Sequence, residues 1–202
     1  MAKKLSEMTL EELWHLFPVV LTEHKEFWKE WYSEEETLWS NRLPCIYRIS
    51  HIGSTAIPNI WAKPIIDILV ELPKEIQLLD YKEVIINSGY ICMSESSNRL
   101  SFNKGYTEVG FVHRVFHLHL RYVDDNDELY FRDYLVEHSA IAKEYEKLKL
   151  ALWKEYEHDR DDYTNAKIGF HKEIHGKCKS NIWQSIPANG VMSILKICTE
   201  FL

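Results

Sequence analysis

Long hydrophobic runs are absent from this chain of 202 residues. No stretch approaches the ~18 to 20 consecutive apolar residues that a membrane-spanning helix requires, so such a span is excluded. Two lysines near the N-terminus are not followed by an apolar run, which argues against a secretory signal. These absences predict a cytoplasmic protein that makes no membrane contact.

Cysteine and clustered basic residues are scarce as well. The 4 cysteines lie far apart without a Cys-x-x-Cys pair, so neither a disulfide framework nor a cysteine zinc site is expected. The 24 basic residues are outnumbered by 31 acidic ones, for a net charge of -7, and no Lys/Arg block occurs. That charge opposes attraction to nucleic-acid phosphates. Nucleic acid is therefore not expected as a partner, whereas a small phosphorylated ligand needs only one local basic patch.

The composition suits one hydrophobic core. Hydrophobic residues make up 46% of the chain and aromatic residues 13%, and we expect a single domain over residues 1–202. The pattern is helical at the front, sheet-forming in the middle and helical at the back, which predicts an α+β fold with a helical C-terminal half. Residues 180–202 form a tail that either packs on the body as a helix or contributes to a dimer contact.

Local patterns predict the individual elements. A capping box at Thr9 predicts a short helix, and aromatic residues at helical spacing predict a second over 24–43, with the glutamates at 34–36 facing outward. The tripeptide at 103–105, Asn-Lys-Gly, is typical of a turn between strands. Three helices are expected after Asn126. The predicted strands cover 46–50, 65–71, 90–94, 99–103 and 109–123, with a helix over 74–88.

The most informative segment joins His51-Ile-Gly-Ser-Thr-Ala-Ile-Pro58 to Ala62-Lys-Pro-Ile-Ile-Asp-Ile-Leu-Val-Glu71. A Gly-Ser turn here leads into a strand in which Asp67 is surrounded by isoleucine, leucine and valine. A carboxylate in an apolar strand is costly to desolvate unless a metal, a cation or hydrogen bonds compensate its charge. Asp67 is therefore the first candidate for a functional residue.

This segment resembles the opening signature of the nucleotidyltransferase (polymerase-beta-like) superfamily, in which a Gly-Ser pair shortly precedes a metal-binding acidic strand. The similarity is closer to the GrpB family, which is assigned to that superfamily by its fold. The resemblance covers roughly residues 20–175 and implies a nucleotidyltransferase-like mixed β-sheet flanked by helices, but no particular reaction. Further matching segments are His117-Leu-His119, Phe131-Arg-Asp-Tyr-Leu135, Glu144-Tyr-Glu-Lys-Leu-Lys149 and Tyr163-Thr-Asn-Ala-Lys167.

Two histidines are predicted to join Asp67 in a metal site. Side chains alternate along a strand, so His117 and His119 project from one face roughly 7 Å apart at ~3.3 Å per residue. Either the pair shares a metal or it belongs to a solvent-facing strand surface, and the resemblance favours the first. Imidazole suits zinc or manganese, and oxygen ligands suit magnesium. We expect a divalent metal (Mg, Mn or Zn), with Asp67, His117 and His119 as both metal ligands and catalytic residues.

One position departs from the catalytic pattern of the superfamily. Active nucleotidyltransferases usually carry a second acid two residues after the first, and the two carboxylates hold two magnesium ions. Leu69 occupies that place here. Glu71 lies ~13 Å along the strand from Asp67, too far to replace the missing acid. The sequence therefore argues against two-metal nucleotidyl transfer.

Six further residues are predicted to bind the ligand. Gly53 and Ser54 can present backbone amides and a hydroxyl to a phosphate at the start of a helix. Lys63 either contacts phosphate or is a charge partner for the acidic strand. Arg132, Lys149 and Lys167 match basic positions that recur in the family, and they either bind an anionic substrate as a cluster or form surface ion pairs. The predicted ligand-binding residues are His51, Gly53, Ser54, Lys63, Arg132 and Lys167.

A second histidine pair occurs in the C-terminal half. His171 and His175 are four residues apart, which places them on one face of a helix. Since the pattern assigns them no acidic or histidine partner, we interpret this pair as a chance arrangement rather than a metal site.

These residues leave three functions open. The leading hypothesis is a metal-dependent nucleotidyl- or phosphoryl-transferase that acts on a nucleotide or another small phosphorylated molecule. The second is a non-catalytic nucleotide- or metabolite-binding protein on a degenerate transferase fold, for which loss of the second carboxylate is the expected mark. The third is a metal-dependent hydrolase that uses the same histidine and aspartate side chains.

Overall fold

The computed structural model describes residues 3–185. Most of the predicted tail lies outside the described residues, and the single-domain organisation stays a prediction. Four α-helices follow Asn126 where the sequence predicts three. The α-helices are α1 (Leu10–Leu16), α2 (Phe27–Arg42), α3 (Lys82–Ile86), α4 (Asp127–Glu137), α5 (Ser139–Glu155), α6 (Arg160–Asn165) and α7 (Ile168–Ser185). The strands are β1 (Arg48–Ile52), β2 (Ile65–Leu72), β3 (Ile91–Glu95), β4 (Arg99–Thr107) and β5 (Gly110–Tyr122).

The five strands form one mixed sheet in the order β1, β2, β5, β4, β3. β2 and β5 are parallel, whereas the other three neighbouring pairs are antiparallel. Helices pack on this sheet, with α2 contacting β2 and α4 contacting β1. The predicted α+β fold, a mixed β-sheet flanked by helices, is therefore confirmed.

One face of the sheet carries the main hydrophobic core. Alternate residues of β2 and β5 point into this core, and Trp28, Trp31 and Trp39 of α2 pack against them. The aromatic stripe of the second helix is thus a core face. The strand residues of the cluster are Ile66, Ile68, Val70, Leu72, Leu100, Phe102, Phe116, Leu118 and Leu120. The opposite face of β2 and β5 is therefore left for other side chains, including polar ones.

One acidic residue of α2 does not face outward as predicted. The side chain of Glu35 is buried, with a residue exposure of 6%. Its carboxylate accepts a hydrogen bond of 2.8 Å from the Tyr90 hydroxyl and one of 2.6 Å from Lys104 Nζ. These partners come from distant parts of the chain, so the helical pattern alone does not reveal that the charge of Glu35 is compensated.

The turn between β4 and β5 lies later than predicted, between Thr107 and Gly110. Gly105 is inside β4 at φ +94°, and a Cβ there would lie 2.5 Å from the Arg114 carbonyl oxygen. The register shifts between Lys104 and Tyr106, which is a β-bulge. Across this shift β4 advances by two residues and β5 by five, from Phe116 to Phe111. On the two sides of it, Lys104 reaches Glu35 on the core side and Tyr106 reaches the opposite face.

Two other element boundaries differ from the sequence prediction. The expected helix over 74–88 is divided into a short 3-10 helix (Leu78–Tyr81) and α3, whose β-branched residues at 84–86 are weak helix formers. β1 lies two residues later than expected, because its pairing with β2 continues to Ile52, next to Gly53 at φ +72°. Within residues 3–185, no helix has the length and apolar character needed to cross a bilayer. A cytoplasmic location stays a prediction.

Candidate active site

The parallel pairing of β2 and β5 brings three polar side chains together on the sheet face opposite the main core. Asp67 is in register with His117, and Leu69 is in register with His119. Asp67 Oδ1 lies 3.0 Å from His117 Nδ1 and 4.0 Å from His119 Nε2. The three side chains thus converge as the strand alternation predicts, while their roles stay predictions.

The protonation states of Asp67 and His117 follow from their burial and hydrogen bonds. Burial alone would raise the pKa of Asp67, but hydrogen bonds and charge from His117 and His119 outweigh it and hold the pKa well below its ordinary value. Burial lowers the pKa of His117, against the opposing effect of Asp67. At neutral pH, Asp67 is therefore ionised and His117 is neutral. Since the carboxylate only accepts, His117 donates from Nδ1, and its Nε2 accepts from the Tyr106 hydroxyl at 2.8 Å.

The Gly-Ser turn packs directly against Asp67. A Cβ on Gly53 would lie 2.2 Å from Asp67 Oδ2, and Gly53 has φ +72°, so a side chain is excluded on both counts. Ser54 begins a 3-10 helix of only 3 residues, Ser54–Ala56. The predicted helix start is therefore a single turn, too short for the dipole of a regular helix to help hold an anion. The hydroxyl of Thr55 ties this turn to β2 through the Ile65 carbonyl, at 3.0 Å.

A cavity of about 780 Å³ opens above these residues. The sheet supplies its floor and α4 to α7 supply its walls. Of the predicted site residues, it is lined by Gly53, Ser54, Lys63, Asp67, His117, His119 and Lys167. Lys149, a recurring basic position of the family, lines it as well. The sequence prediction did not assign several other lining residues to the site, namely Asp127, Glu128, Phe131, Tyr145, Arg160, Tyr163, Thr164 and His171.

His51 and Arg132 are placed elsewhere, since neither belongs to the cavity lining. The His51 ring is stacked on Tyr32, with ring centroids 4.8 Å apart, and its Nε2 is hydrogen-bonded with the Thr55 hydroxyl. Arg132 donates to the His51 carbonyl at 2.7 Å and pairs with Asp133. Both residues therefore connect β1 to neighbouring elements and support the Gly-Ser turn from behind.

Five cations line the cavity. Lys172 is exposed, and we call the other four, Lys63, Lys149, Arg160 and Lys167, the cationic wall. Lys63 and Lys167 place Nζ 5.1 Å and 4.3 Å from the ring centroid of Tyr163. Lys149 donates to the Trp61 carbonyl. Among residues 3–185, no ion pair with a carboxylate is found for any of the four. In that part of the chain no carboxylate is within ion-pair distance of the wall, and Asp67 and Glu146 act on its lysines only at longer range.

Burial has a marked effect on these lysines. It lowers the pKa of Lys63 to about 7, and the neighbouring Lys167 and Arg160 lower it further. Burial likewise lowers the pKa of Lys149 to about 7 and that of Lys167 to about 8. An anion in the cavity would offset the cost of burying these charged lysines and the repulsion between neighbouring cations. The arrangement is therefore suited to a negatively charged ligand.

A family model described as GrpB protein matches residues 18–177. The chain belongs to the GrpB family. The Glutamate-rich protein GrpB of Alkalihalophilus pseudofirmus is 36% identical over 164 residues, covering 77% of this chain and 93% of that protein. The UPF0157 protein YqkA of Bacillus subtilis is 36% identical over 174 residues, covering 81% of this chain and 49% of YqkA. The chain thus spans about half the length of YqkA.

A solved structure of the same family has the same fold. The crystal structure of conserved protein GrpB from Enterococcus faecalis matches with a TM-score of 0.69 and 31% sequence identity. The match covers 81% of this chain and 99% of that one. The GrpB resemblance of the motifs is confirmed, and the chain shares its fold with this solved GrpB structure.

The place of the second acid in this GrpB-family chain is apolar. Leu69 is 0% exposed and packs against Ile52 and Leu129. Glu71 is equally buried, and its carboxylate is held by Arg48 and by the side-chain amide of Asn126 at 2.8 Å. Neither position can supply a second carboxylate to the cavity, in agreement with the sequence prediction.

The sequence analysis did not predict that aromatic side chains, including Phe131, Tyr145 and His171, line the cavity. His171 is stacked on Phe131 with ring centroids 4.1 Å apart, and its Nε2 lies 3.2 Å from the Tyr145 hydroxyl. Burial lowers the pKa of His171 to about 4, so this ring is neutral. His171 therefore belongs to the cavity wall, although not as a metal ligand. The spacing of Tyr145 and Lys149, four apart on α5, was the available signal.

The donor set fits a divalent metal. One ligand atom each from Asp67, His117 and His119 lies within 4.8 Å of the others, a spread that a single ion can bridge after small side-chain movements. Two nitrogen donors and one oxygen donor suit zinc or manganese better than magnesium, which prefers oxygen ligands. Of the three metals expected from the sequence, the donor chemistry therefore favours zinc and manganese.

Proposed function

We propose that this chain is a metal-dependent phosphoryl- or nucleotidyl-transferase that acts on a nucleotide or another small phosphorylated molecule. The observation that carries the proposal is one cavity lined both by an Asp-His-His cluster and by the cationic wall, whose members have no ion-pair partner among the described residues. A volume of about 780 Å³ lies in the range of small-molecule sites. The cavity is thus suited to a small molecule rather than a macromolecule.

Different residues of the cavity would bind the phosphates and the metal. The cationic wall would bind the phosphates and offset the negative charge that develops during transfer. Ser54 would donate its hydroxyl to a phosphate oxygen beside the floor of the cavity. Asp67, His117 and His119 would hold the metal, which when bound supplies Lewis-acid polarisation of a phosphoryl oxygen. A single metal is proposed, because Leu69 stands where a second site would need its acid.

A non-catalytic binding protein is the second candidate, and Leu69 favours it. The side chain is fully buried in apolar contact with Ile52 and Leu129, so the fold is adapted to the absence of the second acid. In that case the cationic wall and the metal site would recognise a phosphorylated ligand without turning it over.

Ligand-induced stabilisation separates the two candidates. We expect ATP, GTP, CTP, UTP or pyrophosphate, with Mn²⁺ present, to raise the melting temperature of untagged protein. A ligand at about 100 times its Kd adds ~2.7 kcal/mol, or roughly 5–10 °C for a chain of this size. Release of pyrophosphate or phosphate, followed with Mn²⁺, Zn²⁺ and Mg²⁺, then distinguishes an enzyme from a binding protein. Phosphate release without transfer to an acceptor would indicate a hydrolase, and no stabilisation by any of these compounds would contradict both candidates.

Anion affinity is expected to fall as pH rises. Lys63 and Lys149, with pKa values of about 7, and Lys167, at about 8, lose their charges on going from pH 6 to pH 9. Binding of sulfate, whose own charge is constant over this range, should weaken by roughly tenfold or more, as calorimetry would measure. Lys167→Arg, which does not titrate, should give a shallower profile. An affinity independent of pH would contradict this assignment.

The ligand-free chain should show the opposite trend. The ordinary lysine pKa is 10.5, above the folded values of about 7 for Lys63 and Lys149. Between those limits the unfolded chain binds more protons than the folded one, so this contribution to the free energy of unfolding rises with pH. Urea denaturation at pH 7 and pH 9 without sulfate measures the free energy of unfolding. A decrease in the contribution of these lysines with pH would rule out the lowered pKa values of Lys63 and Lys149.

A further inference from the structure

A chain of hydrogen bonds joins the cationic wall to the Asp-His-His cluster. Arg160 Nη2 lies 3.2 Å from the Tyr106 hydroxyl oxygen, which in turn lies 2.8 Å from His117 Nε2. His117 Nδ1 is 3.0 Å from Asp67 Oδ1. Arg160 also lies over the Tyr106 ring, 5.6 Å from its centroid. Tyr106 therefore stands between a residue that lines the anion cavity and a proposed metal ligand.

Without a metal, the direction of each bond in this chain is determined. Arg160 can only donate, so the Tyr106 oxygen accepts from it. Asp67 can only accept, so His117 Nδ1 carries the imidazole hydrogen and Nε2 accepts from Tyr106. A donor on the tyrosine oxygen polarises its O–H group and strengthens the bond that Tyr106 donates. Arg160 therefore favours the form of His117 with hydrogen on Nδ1.

Metal binding requires the other form. His117 Nδ1 is the ring nitrogen next to Asp67, so it is the atom that would ligate the metal, and its lone pair must be free. The hydrogen of the neutral ring then sits on Nε2, which donates to the Tyr106 oxygen. An anion that draws Arg160 away from Tyr106 makes that oxygen a better acceptor, and so favours this second form.

We propose that Tyr106 is a positioning residue that couples the two halves of the site, so that a phosphate-class anion at Arg160 raises the affinity for a divalent metal. The coupling rests on the proposed function, because it requires both an anion and a metal in the cavity. The phosphorylated ligand favours the form of the His117 ring that can bind the metal. By reciprocity, the metal must raise the affinity for the anion by the same factor.

Calorimetric titration of Zn²⁺, with and without saturating sulfate, measures this coupling. We expect sulfate to raise the Zn²⁺ affinity of the wild-type chain by about fivefold or more. In Tyr106→Phe this increase should be largely lost, while sulfate binding itself is retained because the cationic wall is intact. Tyr47→Phe is the matched control, since Tyr47 is exposed and does not line the cavity. It should keep the wild-type coupling.

Nitrogen-15 NMR of the His117 ring provides a second readout that needs no activity. The metal-free chain should show hydrogen on Nδ1, and the Zn²⁺-loaded chain should show it on Nε2. Arg160→Lys, which keeps the charge but loses the guanidinium geometry, tests the coupling again if Tyr106→Phe does not fold. Undiminished coupling in a folded Tyr106→Phe chain, or hydrogen on Nε2 without metal, would overturn the proposal. Failure of wild-type chain to bind Zn²⁺ or sulfate would instead overturn the proposed function, and the coupling with it.

Discussion

Asp67→Asn should lower the affinity for Mn²⁺ or Zn²⁺ by more than about 100-fold, because changes that touch only the outer partners of a metal site already cost 10–100-fold. The substitution keeps the shape of the side chain and its contact with His117, but removes the charge that two imidazoles stabilise. Calorimetric titration with metal measures the effect. Any metal-dependent turnover should disappear with it.

The matched control is Asp124→Asn. Asp124 is an exposed aspartate at φ +75°, a conformation that asparagine adopts readily, and it pairs only with Lys74 on the surface. We expect this variant to bind metal as the wild-type chain does. Circular dichroism should show that both variants are folded. Wild-type metal affinity in Asp67→Asn would remove Asp67 from the metal site, and with it the proposed transfer chemistry.

Gly53→Ala should both destabilise the fold and displace Asp67. The new methyl group would lie 2.2 Å from Asp67 Oδ2, and the backbone at φ +72° would add strain. Positive φ alone costs an alanine ~1–2 kcal/mol. We therefore expect a loss of roughly 2–4 kcal/mol in the free energy of unfolding, measured by urea denaturation, since the clash adds to the strain. Metal affinity should fall as the carboxylate moves.

Gly89→Ala separates strain from clash. Gly89 has φ +87°, but a Cβ there would meet nothing within 4 Å. This variant should show only the cost of strain, ~1–2 kcal/mol, and should bind metal normally. Equal destabilisation of the two variants, with metal binding retained in Gly53→Ala, would show that the Gly-Ser turn does not position Asp67.

Local patterns in the sequence were sufficient to identify the floor of the site. Side chains alternate along any regular strand, so the spacing of His117 and His119 placed both on one face, and the apolar neighbours of Asp67 marked its charge as unusual. The Gly-Ser motif then supplied the family. These inferences succeeded because each depends on residues close together in the chain, where backbone geometry alone decides which way side chains point.

The sequence did not reveal where the structure departs from regular strand and helix patterns. At the register shift beside Gly105, Tyr106 faces His117 although Lys104, two residues earlier, faces the core. Helical periodicity predicted that Glu35 is exposed, but its side chain is buried, where Lys104 and Tyr90 compensate its charge. In both cases a contact between distant segments overrides the local pattern.

The sequence by itself determined the fold class, the family and the common sheet face of Asp67, His117 and His119, because short-range periodicity and a local motif encode them. Only the tertiary structure decided that Lys149 and Arg160 join Lys63 and Lys167 around one cavity, and that Arg132 and His51 do not. These side chains come from segments far apart in the chain. Their convergence depends on how α4 to α7 pack over the sheet, which is a property of long-range packing rather than of any local pattern.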